Sequence, residues 1–367
     1  MVDQVRVWAG ELKAFCTRVF EKMGVREEDA RITSDVLVTA DLRGVDSHGV
    51  ARLRRYVKGL RDGTMVARPE SKVVTETPVT ASIDAGAGLG QPVSYRAMEQ
   101  AIEKALALGA GFVTLRNSNH FGIAGYYAMM ALDHDCIGLT MTNASQLVVP
   151  TFGRDAMLGT NPIAVAAPAG EERPFVLDMA TSTVPRGKLE VYQRQERSIP
   201  SGWATDETGS PTQDPTRVLE NVARGLGGGL LPLGGAGETL GGHKGYGLAL
   251  LVDVLCGVLA GAAYANKVYP RTEEGDPLPS RIGHFFGAWR LDAFRPPEEF
   301  KAAMDDLQRR LKEAPKAEGQ ERVYIHGEKE FEEAERRGER GIPLSEKVVA
   351  DLRAIGQDLG VEWIEEL

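Results

Sequence analysis

The chain of 367 residues is poor in cysteine, and the three it has, Cys16, Cys136 and Cys256, are far apart and odd in number. That argues against a disulfide framework and against a Cys-based zinc site, and it fits a reducing cytosol. An excess of positive charge is also missing. With a formal net charge of -9, a nucleic-acid binder working through bulk charge is excluded, although local basic patches are not. The opening stretch MVDQVRVWAGELKAF lacks the apolar core of a signal peptide and leads toward an amphipathic helix, so no export and a cytoplasmic location are expected. Long apolar runs are confined to GYGLALLVDVLCGVLAGAAY, residues 245–264, where Asp253 and several glycines predict a helix buried inside the protein rather than a membrane span.

What is present is the make-up of an ordinary soluble globular protein, 43% hydrophobic and 26% charged, on a chain long enough to divide into two or three lobes. Helical periodicity covers 8–23, 27–42 and 48–61 before the texture changes at RPESKVV. Strand and helix patterns then alternate: VTASIDA, a helix over 92–109, GFVTLRN, a helix over 123–134 and CIGLTMTN. Further strands are predicted at PIAVAAP, PFVLDMA and HFFGAWRLD, and charged helical sequence returns beyond about 297. The pattern predicts an α/β fold: an N-terminal helical segment over 1–75, a mixed-sheet body over 76–296, and a C-terminal helical segment over 297–367 packed on the N-terminal one.

The stretch DLRGVDSHGVARLRRY sets Asp46, Ser47 and His48 side by side. A hydrolase triad needs the serine and the carboxylate on opposite edges of one imidazole, which three consecutive residues cannot achieve. With Val50, Leu53, Val57 and Leu60 at three- and four-residue steps, the stretch predicts a helix with Ser47 as its N-cap and His48 in the first turn. At about 100° per residue, His48, Arg52 and Arg55 share a face opposite the apolar stripe. A histidine over an arginine suits proton transfer beside a carboxylate, and a helix N-terminus together with Arg52 and Arg55 would lower the histidine pKa. A solvated basic face, with Arg54, Lys58 and Arg61 nearby, accounts for the same spacing.

Both nucleotide motifs fail. In GAGLGQ, residues 86–91, the glycines alternate and no acidic residue follows at the right distance, so a tight strand-to-helix turn is expected. In GETLGGHK, His243 separates Gly242 from Lys244, leaving either a glycine-rich anion site at a helix start or a packing turn. RNSNHFGIAGYY places His120 at a strand end, where chemistry collects in α/β folds, yet capping by Ser118 or Asn119 with His120 incidental explains it too. DHDC at 133–136 lacks companion ligands and predicts a turn before a strand, while the isolated His284 and His326 are expected to be structural.

Taken together, ADLRGVDSHGVARLRRYV, RNSNHFGIAGYYA, LGTNPIAVAAP, LDMATSTVPRGKLE, LLPLGG, GGHKGYGLALLVDVLCG and IHGEKEF resemble the type 2 malate/L-lactate dehydrogenase family over essentially the whole chain. That family includes sulfolactate, ureidoglycolate and diketogulonate oxidoreductases and a cyclic-imine reductase, and within it the archaeal-type malate dehydrogenases are most similar. The resemblance implies a non-Rossmann nicotinamide-binding fold in a homodimer, using NAD or NADP and no metal, with a small-molecule substrate, no nucleic acid and no membrane. It also implies roles by position: His48, beside Ser47, as proton donor and acceptor, His120 as a second histidine near the reacting centre, Arg52 as the substrate carboxylate clamp and Tyr56 as a pocket wall. The cofactor would be contacted by Met179, Ala180, Thr181, Ser182, Thr183, Val184 and Pro185, by His243 and Lys244, and by Gly327, Glu328 and Lys329. Arg186 lends nothing on NAD against NADP.

The implied reaction exchanges hydride between nicotinamide and C2 of a small 2-hydroxy or 2-oxo acid, malate and oxaloacetate first, with a histidine moving the hydroxyl proton. The rivals are a serine hydrolase on Ser47, which has no G-x-S-x-G elbow to support it, and a non-catalytic anion-binding protein using the 234–245 loop.

Overall fold

The computed structural model describes residues 4–367. Helices Ala9–Lys22 and Glu27–Leu42 pack on each other, and strand Gln4–Val7 pairs antiparallel with Ile342–Ser345 from the far end of the chain. One hydrophobic core unites these ends: Phe15 and Phe20 meet Leu53 and Tyr56 of helix Leu53–Arg61 and Leu352 and Ile355 of helix Glu346–Leu359. Burying such apolar faces jointly, rather than helix propensity, is what holds short helices like Leu53–Arg61 in place.

The body is a seven-stranded mixed sheet. From edge to edge it runs Lys72–Glu76, Thr80–Asp84, Ala110–Ser118, Ile282–Arg290, Cys136–Thr142, Ile163–Ala167 and Phe175–Met179. Only Thr80–Asp84 and Ala110–Ser118 pair in parallel, and helix Gly90–Leu108 makes the crossover that parallel strands require. Strand Ile282–Arg290 is inserted antiparallel between two strands far earlier in the chain, which sets His284 opposite Leu115 on one side and Thr142 on the other. The edge strand Lys72–Glu76 bridges the expected boundary at 75, and a small three-stranded sheet at Ala204–Thr205, Pro211–Thr212 and Gly229–Leu230 had no sequence signal.

Two expectations are corrected. The 48–61 helix is instead two single turns, Asp46–His48 and Val50–Arg52, followed by a helix that begins at Leu53. The break has a physical cause at Gly49, where a Cβ would lie 1.9 Å from the Asp41 carboxylate that accepts the Val50 N–H at 2.8 Å. Asp41 claims the space a continuous helix would need. The 245–264 segment is helical, from Gly242 to Val252 and then as a wider π-turn over Asp253–Leu259, but it is not buried throughout. Leu250, Val254, Val258 and Leu259 are exposed along it. Asp253 accepts the Ala265 N–H at 2.7 Å and tethers the segment to the protein.

Candidate active site

The chemistry-bearing residues converge from two loops. The first is the bent 43–52 segment. The second is the end of strand Ala110–Ser118, which Asn119 fastens by donating to the Ala87 and Gly88 carbonyls at 3.0 and 2.8 Å and accepting from the Ser280 hydroxyl at 2.6 Å. Those carbonyls belong to the GAGLGQ turn, a strand-to-helix connection as expected. Its Gly90 starts the crossover helix so close to the second loop that a Cβ would sit 2.3 Å from the Asn119 carbonyl oxygen and 2.5 Å from that of His120. Neither Ser118 nor Asn119 caps the next helix, Ala124–Met130. Ser118 instead bonds His284 Nε2 at 2.8 Å, while Thr142 takes His284 Nδ1 at 2.7 Å. His284, fully buried and stacked on Phe121, is a strut beneath the second loop.

On this support His48 and His120 stack, with ring centroids 5.4 Å apart and planes 24° apart. His48 Nδ1 lies 2.9 Å from the Ser47 hydroxyl, which makes Ser47 the partner of the imidazole and not a helix cap. His120 Nδ1 lies 2.7 Å from the Tyr56 hydroxyl. Arg52 donates from Nε to the Ser47 carbonyl at 2.6 Å, and its charge acts on His48. Arg55 donates to the Tyr269 hydroxyl at 2.8 Å.

Burial, reinforced by Arg52 and Arg55, lowers the His48 pKa to about 4. The expected direction holds, but the larger cause is desolvation and no helix N-terminus stands behind the ring. His120 is pushed well below its ordinary value, first by burial and then by Arg55 and His48. Both imidazoles are therefore neutral near pH 7. Burial carries the Tyr56 phenol up to about 12, so it keeps its proton.

His48 and Ser47 open onto a cleft of about 510 Å³, a size that suits a small organic ligand or cofactor. Ala180, Pro185, Gly327 and Lys329 line it, together with four residues the sequence did not single out for this: Arg43, Asp178, Tyr324 and His326. His326 stood in the IHGEKEF segment and Arg43 just ahead of DSHG, but no spacing ties either to His48. The side chains of Thr181, Ser182 and Thr183 are turned to the Thr160, Val184 and Pro232 carbonyls, and Val184 is core. Met179 ends the edge strand, and the Glu328 carboxylate is buried against Lys312 and Arg322. His243 and Lys244 border a separate hollow with Glu238 and Leu240. Among the described residues no group of three or more His, Cys, Asp or Glu side chains is placed to hold a metal ion.

Residues 7–353 match the family model described as malate/L-lactate dehydrogenase. The chain belongs to that family. It is 49% identical to the malate dehydrogenase of Pyrococcus abyssi over 99% of this chain and 97% of that one. Against the L-sulfolactate dehydrogenase of Methanocaldococcus jannaschii the identity is 41%, over 94% of both. The solved malate dehydrogenase of Pyrococcus horikoshii superposes with a TM-score of 0.88 at 46% identity, covering 99% of each chain. As a member of the malate/L-lactate dehydrogenase family the protein is an oxidoreductase of 2-hydroxy acids, and a nicotinamide cofactor is what the family implies. A serine hydrolase is set aside by the same result.

Proposed function

We propose that this dehydrogenase interconverts malate and oxaloacetate with NAD as the preferred cofactor, as a cytoplasmic homodimer. The observation that carries the site is the stacked pair His48 and His120, of which His48 lines the cleft, with the Arg52 charge acting on His48. The N-terminal segment would supply the substrate groups, the sheet body a non-Rossmann seat for the cofactor, and the C-terminal segment the packing behind the first.

The cleft fits a dinucleotide chemically: Arg43 and Lys329 supply cationic charge for phosphates, glycines 122, 125 and 327 allow close backbone approach, and the Tyr324 ring offers a flat face. Ala180 and Pro185 would border the same ligand, and His243 and Lys244 would reach it from their own hollow. When bound, the nicotinamide supplies or accepts the hydride at C2.

The protein's own part is positional and protolytic. Arg52 pairs with the C1 carboxylate and fixes C2 within reach of both imidazoles. Arg55, beside the histidines, gives the second carboxylate of malate a cation, which favours a dicarboxylate over lactate. His48 takes the hydroxyl proton in oxidation and returns it to the oxygen in reduction, with Ser47 holding the ring by Nδ1 so that Nε2 faces the substrate. His120, neutral, donates to the same oxygen as charge develops there.

A second arrangement, sulfolactate oxidation, is favoured by the 41% relative, because a sulfonate would meet the same arginines. Loss of reduced-nicotinamide absorbance with NADH or NADPH against oxaloacetate, sulfopyruvate, pyruvate and a cyclic imino acid separates the options. Fastest turnover of oxaloacetate with NADH is expected, and fastest turnover of any other pair would overturn the assignment.

A further inference from the structure

Asp46 dropped out of the reaction once the triad was excluded, yet it ties the turn that bears Ser47 and His48 to the rest of the fold. None of the three residues of Asp46–His48 is fully buried, and no side chain caps the turn. Packing alone does not fix where His48 stands, so polar contacts have to. On one side of the turn, Asp41 accepts the Val50 N–H at 2.8 Å. On the other, the hold comes from the far end of the chain. Arg337, buried in helix Glu328–Arg340, donates from Nη1 to the Asp41 carbonyl at 2.7 Å and to one Asp46 carboxylate oxygen, and from Nη2 to the other at 3.4 Å. A guanidinium that meets both oxygens of a carboxylate fixes its direction as well as its distance. Glu333, one helical turn earlier, accepts from Arg337 Nε and keeps the guanidinium in line.

The same helix meets this segment at two further places. The Arg43 guanidinium lies over the Phe331 ring, 4.6 Å from its centroid. Gly44 passes so close that a Cβ there would sit 2.9 Å from Glu333 Cγ. At the other end of the helix, its N-cap Gly327 and the first-turn residues Lys329 and Glu330 line the cleft. One helix thus carries both a wall of the cleft and the hold on the turn with the catalytic imidazole.

We propose that Arg337 is a positioning residue: by gripping Asp46 and the Asp41 carbonyl it sets the Asp46–His48 turn at a fixed place relative to the cleft wall, and so aims the His48 imidazole at a substrate bound there. The role rests on His48 as the group that moves the proton, as set out under the proposed function. Neither Arg337 nor Asp46 lines the cleft, so both act through the turn.

Arg337→Gln and Asp46→Asn, made singly and together in the full chain, test this. Nitrogen NMR of His48 without substrate or cofactor reads the ring directly. Arg52 and Arg55 from its own segment and His120 from the second loop face that ring, and all three are kept in both variants. Loss of charge alone would move the His48 midpoint in opposite directions, up when the arginine goes and down when the carboxylate goes. A turn released from its hold admits water to the ring and raises the midpoint from about 4 toward 6.5 in both. The rise in Asp46→Asn is the sign that decides.

In oxaloacetate reduction kcat should fall by about tenfold in either variant, inside the roughly hundredfold that a misplacement of about 1 Å costs, with KM for NADH unchanged. Joining the two substitutions should cost nothing beyond Arg337→Gln alone, since both break one contact. Arg337→Lys, which keeps a cationic donor, should recover part of the loss. The Asp46 side chain is largely exposed and Arg337 keeps Glu333 as a partner, so Asp46→Asn leaves the fold intact and decides even if Arg337→Gln does not fold. A His48 midpoint at or below the wild-type value in Asp46→Asn, or an unchanged kcat in a folded variant, would overturn the proposal. Absence of turnover in the wild type would instead overturn the dehydrogenation scheme, with the titration still deciding the role of Arg337.

Discussion

His48 and His120 lie in one stack, 5.4 Å between centroids, and each turns Nδ1 to a hydroxyl, Ser47 for the first and Tyr56 for the second. Two neutral imidazoles with Nδ1 engaged leave two Nε2 atoms for one substrate oxygen. The arrangement divides the labour between a ring that moves the proton and a ring that steadies the charge.

Replacing His48 by alanine should lower kcat by about a hundredfold to ten-thousandfold, the usual worth of a general acid or base. Cofactor affinity, followed by quenching of tryptophan fluorescence, should stay nearly unchanged. Wild-type turnover in His48→Ala would sink the role.

Arg52→Gln removes a charge-assisted pair worth about 1.5–3 kcal/mol, so KM for oxaloacetate should rise by about tenfold to a hundredfold. Because the Arg52 side chain is exposed and braces only the Ser47 carbonyl, melting temperature should barely move. A large fall in melting temperature with unchanged KM would mark Arg52 as a brace instead.

The pH dependence follows from the His48 pKa of about 4, below the ordinary 6.5. Folding keeps the ring neutral, so the stability it contributes is complete above 6.5 and is lost as pH falls toward about 4. In malate oxidation the base form is the active one, and kcat/KM should stay level through neutrality and decline only near pH 4. Oxaloacetate reduction needs the protonated ring, so its kcat/KM should fall as pH rises. An acid limb near 6.5 in the oxidation profile would contradict the buried, arginine-flanked setting.

Gly90→Ala tests how the fold positions the chemistry. The added Cβ meets two carbonyl oxygens inside 2.6 Å. Overpacking of this kind costs about 1–3 kcal/mol, and here it displaces the loop that carries His120. Lower kcat together with a lower denaturation midpoint is expected; an unaffected kcat would show that the loop is set by other contacts.

Leu250, Val254, Val258 and Leu259 are exposed along one helical segment, and a second copy of the chain is their proposed cover. Sedimentation should give a dimer for the wild type and a monomer for Val258→Asp. A monomeric wild type would remove the homodimer from the account.

Much of this is legible in the sequence. Strand and helix patterns marked six of the seven strands of the main sheet, because alternation and apolar runs are local signals. The rare pairings were not local. Ile282–Arg290 is threaded between Ala110–Ser118 and Cys136–Thr142 by contacts more than a hundred residues apart, and nothing near His284 announces its two hydroxyl partners. The bend at Gly49 was hidden for the same reason: the carboxylate that enforces it belongs to Asp41, on the preceding helix. The histidines and Arg52 were visible as residue types in suggestive motifs, but the stacking that joins positions 48 and 120 is a product of the fold. Arg43, Asp178, Tyr324 and His326 meet around the cleft from three separate segments, and sequence spacing carries no trace of that.

The central claim is hydride transfer to C2 of a 2-oxo acid at this site. Its most direct test is to supply oxaloacetate with NADH deuterated on the transferable face of the nicotinamide and to locate the label in the product by proton NMR. Deuterium at C2 of malate, formed by the wild type and not by His48→Ala, is the expected result. Malate without the label, or labelled malate formed equally fast by the variant, would contradict the account.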